Sequence, residues 1–521
     1  MLPIAVFGPI DWVVVLAYFA AMIGIGLYTS RKRQDTEDYF LGGRSLPTWA
    51  VSLSIVSTTL SAATFVGAPE QSFDGNLTYL SFGFSNVLAV LIVAWIFIPR
   101  LYRAGGVTIY GYLATRFGEP SRIAVSLMFL AGRMLASGAR LFIAAMPLCL
   151  LMFATRQQTG YAPSARQLIA AVCLIGLVGT AYTTLGGIRT VVWTDTIQFF
   201  IVVGAATLSV ILLLHRIHHS PAEIVHILSE PTPNQHGKLQ LFDFSWKTPF
   251  SFWAALLGNT WLTVAVLGVD QDFAQRFLIS KSATKGVISI LTSQIIGLVV
   301  LAGFMLIGLL LYIFYKRPDI MGGAGPTYAP VGKNAYPSFL LSELPTVISG
   351  IAVAGFFAIA QGSMDSAINA LASSAIADIY LPIRKRLGYE DSPRQSSEAP
   401  KVAVALMGFV MTLFAILCIV LYHGSSGTLI QFALGVMAFG YTGMLGVFLA
   451  ALLTRRGNDA SVIAALATGV IVVMLLQPTI SLAWSNRLFH KPLQITQAWW
   501  MPIGTIISFL VCICGSRKGS T

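Results

Sequence analysis

Long apolar stretches alternate with short polar loops from one end of the chain to the other. A helix that spans a bilayer needs about 20 mostly apolar residues, and thirteen segments satisfy this requirement. They are residues 11–29, 47–68, 78–102, 122–154, 166–186, 190–215, 250–269, 285–315, 339–380, 401–423, 428–453, 459–477 and 497–514. The pattern predicts an all-α integral membrane protein with about thirteen transmembrane helices.

The composition agrees with this pattern. Hydrophobic residues make up 56% of the 521 residues and charged residues only 10%, whereas an average soluble domain is about 25% charged. These values exclude a soluble enzyme, a disordered chain and a nucleic-acid-binding protein. The five cysteines lie in apolar runs, so they predict neither a disulfide framework nor a metal site.

The distribution of positive charge predicts the orientation, because Lys and Arg are enriched in cytoplasmic loops. With the N-terminus outside, 21 Lys and Arg residues fall in inward connections and 10 in outward ones. We therefore expect a plasma (inner) membrane protein with a cytoplasmic C-terminus, and this orientation explains the net charge of +12 without nucleic acid. The loops are too short for catalytic domains. The expected partners are the lipid bilayer and a small-molecule substrate, with no obligatory protein partner evident.

The second segment carries five hydroxyl side chains within eight residues. Adjacent hydroxyl and β-branched residues make a poor helix interior. One interpretation is close helix packing through small residues. The other is an unwound stretch whose carbonyls and hydroxyls line a water-filled cavity. The five residues are Ser57, Thr58, Thr59, Ser61 and Thr64.

The seventh segment shows a second interruption, with Gly258-Asn259 early and Gly268 just before Asp270-Gln271. Because it lies five segments after the second, segments 2–6 and 7–11 are candidate inverted repeats. Paired interrupted helices in such repeats indicate a transporter binding site at the midplane. The predicted units are a leading helix with a basic loop (1–46), a first five-helix repeat (47–215), an extracellular loop (216–249), a second five-helix repeat (250–453) and two trailing helices with a cytoplasmic tail (454–521).

Small and polar side chains recur every three or four residues along the ninth segment, so they share one face. Asp365 joins this face, three residues after Gly362. A carboxylate at membrane depth favours a sodium site over simple helix packing, because hard cations prefer oxygen ligands. The stripe comprises Gly362, Ser363, Ser366, Asn369 and Ser373.

Three further charged residues lie within the predicted spans. Asp195 follows the turn that ends at Arg189 by about two helical turns. Asp195 either pairs with Arg189, or extends its carboxylate to the membrane interface, or coordinates an ion. Arg133 and Arg140 are seven residues apart and share a helix face. They either pair with buried acids or offer guanidinium forks to an anionic substrate.

Several separate motifs resemble the sodium/solute symporter family, over about residues 10–515. They are DYFLGGRSLPTWAVSLSIVSTTLSAATFVG from Asp38, GGIRTVVWTDTIQ from Gly186, DQDFAQR from Asp270 and GSMDSAINALASSAIADIY from Gly362. The resemblance implies the 5+5 inverted-repeat fold of the bacterial leucine transporter, with one extra N-terminal and two extra C-terminal helices. It also implies Na⁺ as the coupling ion, with no organic cofactor.

The conserved sodium site of this family joins the broken second helix to the ninth. The resemblance places it on Ser57, Leu60, Ile359, Gly362 and Ser363. The family usually has two adjacent hydroxyls where this chain has Gly362 followed by Ser363, so a carbonyl, a water or Asp365 would replace one ligand. A second sodium site, present in some members, would fall on Asp195, Asp365 and Ser366.

The resemblance also implies substrate contacts from the second, fourth and seventh segments. The candidates are Thr59, Ser61, Thr64, Arg133, Arg140 and Asn259. Hexose carriers of the family have a Tyr-Trp pair where this chain has Val266 and Leu267, which argues against a glucose-type pocket. The second segment is similar to the bacterial sialic acid carriers, and the ninth is similar to the anion and carboxylate branch.

We therefore expect a sodium-coupled secondary active symporter that imports a small organic anion, such as a sialic acid or another carboxylate, by alternating access. The alternative is a sodium- or proton-coupled carrier of a neutral sugar, amino acid or vitamin. A channel is more remote, because the polar groups converge at one depth instead of forming a continuous filter. We do not expect an enzyme, because the sequence shows no nucleophile–base pair and no His-rich metal cluster.

Overall fold

The computed structural model describes residues 8–31, 35–153, 163–231, 237–246, 248, 250–322, 325–326, 335–389, 393–421, 429–489 and 495–516. Within these ranges all regular secondary structure is helical, as predicted. Nine of the described helices are long and apolar enough to cross a membrane, or ten if one bent pair counts as a single span. Two further apolar helices are shorter.

Fourteen helices position the site described below. They are α1 (Pro9–Thr29), α2 (Thr48–Thr59), α3 (Ala62–Asp74), α4 (Thr78–Ala104), α5 (Glu119–Phe153), α6 (Ala165–Ile217), α7 (Ala254–Val269), α8 (Gln271–Leu278), α9 (Ala283–Lys316), α10 (Ile348–Arg386), α11 (Pro393–Leu421), α12 (Leu429–Leu453), α13 (Asp459–Leu476) and α14 (Trp500–Cys514).

The 53-residue helix α6 folds back on itself at Gly187. Gly187 has φ +59° and ψ −147°, and a Cβ there would lie 2.4 Å from the Tyr39 carbonyl oxygen, so glycine is required. Gln198 Nε2 donates to Tyr182 Oη at 3.4 Å. In a straight helix these residues would be about 24 Å apart. The two apolar segments predicted here therefore run side by side.

Two helices are interrupted at membrane depth. Helix α2 ends at Thr59, and Leu60 and Ser61 are extended, with ψ 113° and 165°. The axis then bends by 62° into α3. Helices α7 and α8 are separated at Asp270, which has φ −86° and ψ 124°. The prediction of a second break was thus correct, but Gly258 and Asn259 form a wide π-helical turn, so the chain stays helical there.

Helix α10 lies at the centre of the bundle. Nearly every residue from 349 to 374 is buried, and its largest contact surface is with α6. It begins at Ile348 and not at the predicted residue 339, because Asp11 of α1 accepts hydrogen bonds from the Val347 and Gly350 backbone and from the Ser349 hydroxyl. This carboxylate caps the helix N-terminus, where the backbone N–H groups lack helical partners.

Candidate functional site

Asp195 lies fully buried on the second half of α6, where it joins three helices. Its Oδ2 accepts hydrogen bonds from Ser54 Oγ of α2 at 2.5 Å and from Arg276 Nη2 of α8 at 3.2 Å. Its other oxygen, Oδ1, has no hydrogen-bond partner among the described residues. The pairing with Arg189 considered from the sequence is wrong, because Arg189 instead binds Asp38 at 2.8 Å.

Arg276, the charged partner of Asp195, begins a buried ladder in which positive and negative side chains alternate. Arg276 Nη1 binds Asp272 Oδ1 at 2.5 Å, and the other oxygen of Asp272 binds Arg133. Arg133 Nη1 also donates to Asp270 Oδ2 at 2.9 Å, and Asp270 accepts from Tyr441. All four charged side chains of the ladder have no solvent exposure. Each of these charged side chains thereby has at least one partner of opposite charge, which avoids the large penalty of an unpaired buried charge.

This ladder favours the first of the two interpretations of Arg133, pairing with buried acids. With both of its amino groups on carboxylates, the guanidinium of Arg133 holds α5 to α8. Arg140, two turns further along α5, has different surroundings from Arg133. It is half-buried and donates from Nη2 to Met437 Sδ at 3.1 Å, and no described carboxylate forms an ion pair with it.

Asp365 lies on α10 and accepts two hydrogen bonds. Tyr182 Oη donates to its Oδ2 at 2.7 Å, and the Ser366 backbone N–H donates to its Oδ1 at 2.7 Å. No Lys or Arg among the described residues forms an ion pair with this fully buried carboxylate. The Tyr182 hydroxyl also accepts from Gln198, which donates to Tyr18 Oη at 3.2 Å as well. A polar chain therefore connects α1, both halves of α6 and α10.

Three oxygen atoms converge on Gly362 of α10. A Cβ at this glycine would lie 2.9 Å from Ser57 Oγ, 2.9 Å from Gln198 Oε1 and 3.4 Å from Asp195 Oδ1. The Gln198 and Asp195 oxygens are buried and have no partner among the described residues. Buried polar atoms are normally satisfied, so these two unsatisfied oxygens at one gap are candidate ligands for a small polar group or ion. An all-oxygen set with one carboxylate suits a hard cation such as Na⁺.

The structure thus brings together residues predicted for two separate sodium sites. Ser57 and Gly362 were expected in the first site and Asp195 in the second, yet all three border the same gap. Leu60 caps the broken end of α2, where the last carbonyls have no onward helical partners. Ile359 and Ser363 flank Gly362 on α10, and both are buried.

Ser366 connects this gap to the charge ladder. Its hydroxyl donates to the Gly362 carbonyl at 2.9 Å and lies 3.5 Å from Asp272 Oδ2 and 3.4 Å from Thr58 Oγ1. The Thr58 hydroxyl accepts in turn from Arg276 Nη2 at 2.6 Å. The gap is therefore connected to the ladder through Ser366 and Thr58 as well as through Asp195 itself.

The predicted substrate residues occupy different surroundings. Thr59 is exposed at the end of α2, whereas the preceding residues 50–58 are buried. Ser61 Oγ lies 3.5 Å from Thr64 Oγ1 at the start of α3. Asn259 is instead bound by α4 and α7, since its Nδ2 contacts Ser85 Oγ at 2.7 Å. Of these residues Thr59 is exposed, Thr64 and Arg140 are half-buried, and Ser61 is buried.

Sequence reasoning missed Gln198, Tyr182 and Arg276. Gln198 is one helical turn after Asp195, so the i, i+3 spacing could have revealed it. Arg276 lies between the seventh and eighth predicted segments, where no site residue was expected, yet its side chain is completely buried beside Asp195. Nothing in the sequence indicated Tyr182, which reaches the site only because α6 reverses at Gly187.

Comparison with known proteins extends these observations. The model of the sodium:solute symporter family matches residues 39–469. The sodium/sialic acid symporter SiaT of Proteus mirabilis is 27% identical over 473 residues, which cover 90% of this chain and 89% of that protein. Sodium-coupled monocarboxylate transporter 2 of Homo sapiens is 27% identical over 505 residues, which cover 95% of this chain and 75% of that protein.

Solved structures share the fold. A Na⁺-coupled sialic acid symporter in a substrate-bound outward-open state superposes with a TM-score of 0.81 at 24% identity, covering 99% of this chain and 100% of that one. Mhp1, a nucleobase-cation-symport-1 family transporter, superposes with a TM-score of 0.52 at 14% identity, covering 91% and 92%. With the family model matched over most of its length, this multi-pass membrane transporter belongs to the sodium:solute symporter family.

Proposed function

We propose that the protein is a secondary active symporter that couples inward Na⁺ movement to the import of a small organic anion. The observation that carries this proposal is the gap at Gly362, where Asp195 Oδ1 and Gln198 Oε1 are buried without partners. Na⁺ entering this gap would be held by these two oxygens and Ser57 Oγ. The Leu60 and Ile359 carbonyls and Ser363 are the further ligands that the family resemblance implies.

This position explains how ion binding would act on the conformation. Two of the three oxygens belong to α6 and one to α2, and all three face Gly362 of α10, so a cation between them draws the broken end of α2 toward the other two helices. Without the cation, their negative ends face one another across the gap and repel. Sodium therefore favours the arrangement in which the α2 break is held in place. Alternating access then requires that sodium and solute shift the same equilibrium.

An excess of buried negative charge supports a second cation site at Asp195, Asp365 and Ser366. The buried cluster contains four carboxylates, and its two ladder arginines compensate only two of them. Asp365 receives a tyrosine hydroxyl and a backbone N–H but no described basic partner. A second Na⁺, or a proton in its place, would remove this excess negative charge.

Arg140 would bind the anionic group of the solute. It is the arginine of α5 that no described carboxylate neutralises, whereas Arg133 is held by Asp270 and Asp272. The relatives named for sialic acid and monocarboxylates also support an acidic solute. Hydroxyls of Thr59, Ser61 and Thr64 would supply the remaining polar contacts, and Asn259, held by Ser85 of α4, is the further candidate from α7. A neutral sugar, amino acid or vitamin is the alternative.

We also propose the number of membrane passes, the repeat boundaries and the orientation. We infer thirteen membrane passes, because α6 forms two antiparallel halves and two shorter apolar helices complete the set. The breaks after Thr59 and at Asp270 support inverted repeats over 47–215 and 250–453. Residues 1–46, 216–249 and 454–521 would form the leading helix, the extracellular loop and the trailing helices. The positive charges favour an outside N-terminus and a cytoplasmic C-terminus in a plasma (inner) membrane.

Uptake into proteoliposomes tests the function. Purified protein is reconstituted, an inward sodium gradient is imposed, and uptake of labelled sialic acid, short monocarboxylates, sugars and amino acids is compared. We expect saturable uptake of an acid that stops when choline replaces sodium at constant pH. Undiminished uptake in choline would exclude sodium coupling, and uptake of only neutral solutes would exclude the anion assignment.

A further inference from the structure

A groove lies along one face of α10 beyond the buried part of the helix. Its volume is about 490 Å³, within the range of small-molecule sites. Apolar side chains at four-residue spacing form its floor, and aromatic rings and one arginine form its walls. The lining residues are Ala375, Ile379, Tyr380, Ile383, Arg384, Leu387 and Tyr389.

The end of the helix shapes the groove. Gly388 has φ +76°, and the Tyr389 N–H donates back to the Arg384 carbonyl at 3.1 Å. This Schellman-type turn carries Tyr389 back along the helix. The Arg384 guanidinium carbon lies 5.6 Å from the centres of both the Tyr380 and Tyr389 rings, and Nη1 donates to Tyr380 Oη at 3.1 Å. The two rings therefore fix the arginine at the mouth of the groove.

The groove lies where the protein core ends. Asp378 is fully buried and paired with Arg122, which is in the first turn of α5. Arg384 is six residues further along the helix, about 9 Å beyond this pair. Here the side chains emerge from the core, and Ile383 and Leu387 are 50% and 67% exposed. Exposed apolar side chains beside tyrosines and bases are typical of a membrane interface.

We propose that this groove binds one anionic phospholipid of the inner leaflet. The acyl chain would lie on the apolar floor, and the phosphate would meet Arg384, with Lys385 and Arg386 following directly in the sequence. Three consecutive bases complement an anionic headgroup, and basic pockets at the cytoplasmic side of transmembrane helices are suited to such lipids. The side of the membrane rests on the proposed orientation, but lipid binding is independent of the transported solute.

Lipid retention by the purified protein tests the site. The protein is delipidated in detergent, equilibrated with mixtures of phosphatidylglycerol and phosphatidylcholine, and the lipid retained per protein is counted by mass spectrometry. We expect one retained phosphatidylglycerol and roughly tenfold weaker retention in Arg384→Gln, the size of one charge-assisted hydrogen bond. Arg455→Gln is the matched control, because it removes the same charge from an exposed arginine that lies outside the groove.

A photoactivatable phosphatidylglycerol probe locates the lipid in the wild type. Cross-links within residues 375–389 support the site, and cross-links confined to other segments overturn it. Equal losses in Arg384→Gln and Arg455→Gln would also overturn it, since general electrostatic attraction would then explain retention. Equal retention of phosphatidylcholine would exclude a site for an anionic headgroup. Because uptake is not measured, failure of this proposal leaves the proposed transport function untouched.

Discussion

Arg276 Nη2 lies 3.2 Å from Asp195 Oδ2, and this ion pair, completely buried, links α8 to the second half of α6. The arginine uses one oxygen of the carboxylate and leaves Oδ1 directed at the gap beside Gly362. Asp195 thus holds α6 to α8 through one oxygen, and its other oxygen is the sodium ligand of the proposed function.

Asp195→Asn keeps the shape of the side chain and removes its charge. We expect the sodium concentration for half-maximal uptake to rise at least about tenfold, which corresponds to ~1.4 kcal/mol of lost ion binding. Sodium-dependent uptake in proteoliposomes measures it. Asp378→Asn is the control, because Asp378 is equally buried and paired with an arginine at the far end of α10. Equal effects of both variants would show that Asp195 acts only through packing.

Gly362→Ala places a methyl group in the gap. Its Cβ would lie 2.9 Å from Ser57 Oγ and Gln198 Oε1, so it occupies the space proposed for the cation. We expect sodium-dependent uptake to be lost while the protein still folds and elutes as a single peak. Gly355→Ala on the same helix is the control, since its Cβ meets Ala205 at an ordinary 3.5 Å. Normal sodium affinity in Gly362→Ala would place the ion elsewhere.

The two arginines of α5 should respond differently to replacement by Lys. Arg140→Lys is expected to raise KM for the organic anion several-fold with little change in thermal stability, because a point charge cannot reproduce a bidentate contact. Arg133→Lys is expected to lower stability by about 3 kcal/mol, because one buried ammonium group cannot bind Asp270 and Asp272 together as the guanidinium does. Uptake kinetics measure the change in KM, and thermal melting measures the change in stability. An unchanged KM in Arg140→Lys would contradict its assigned role.

Asp365→Asn tests the second cation site. If two Na⁺ ions bind, wild-type uptake depends cooperatively on sodium, and the variant should show a hyperbolic dependence because one binding carboxylate is neutral. The Hill coefficient of sodium-dependent uptake measures this change. Tyr182→Phe, which removes only the hydroxyl donor to Asp365, should retain cooperativity with weaker sodium affinity. A wild type that is already hyperbolic would show that no second sodium site exists.

The stability of the folded protein should depend on pH in the alkaline range because of Lys238, in the loop after α6. Its Nζ donates to the Phe73 and Gly75 carbonyls at 2.8 and 2.9 Å, and burial lowers its pKa from 10.5 to about 8. The unfolded chain therefore binds more protons than the folded one between pH 8 and 10.5, so this lysine's contribution to stability rises with pH across that window. Below pH 8 the full penalty of burying its charge is present.

Melting temperatures of the wild type and Lys238→Met from pH 7 to 10 measure this contribution. The difference between the two proteins should be constant below pH 8 and then shift in favour of the wild type. Methionine has a similar length and does not titrate, so other groups contribute equally to both curves. A difference that is independent of pH would show that Lys238 keeps an ordinary pKa in the folded protein.

The sequence alone determined the properties that depend on local pattern. Apolar runs of membrane length predicted a helical membrane protein, and clustered hydroxyls and glycines located breaks near Leu60 and Asp270. Spacing along one helix placed Gly362 and Asp365 in a common polar segment. Each of these inferences uses the fixed geometry of a helix or the thickness of a bilayer, which are known before the chain folds.

Only the tertiary structure decided which charges pair. Asp195 and Arg276 are 81 residues apart in the sequence, and Arg133 and Asp270 are 137 apart. No periodicity relates such distant residues, so the sequence could not choose between a structural and a ligand-binding arginine. The reversal at Gly187 and the packing of α8 against α10 bring these groups together. A buried charge must then find its partner among whatever side chains packing places beside it.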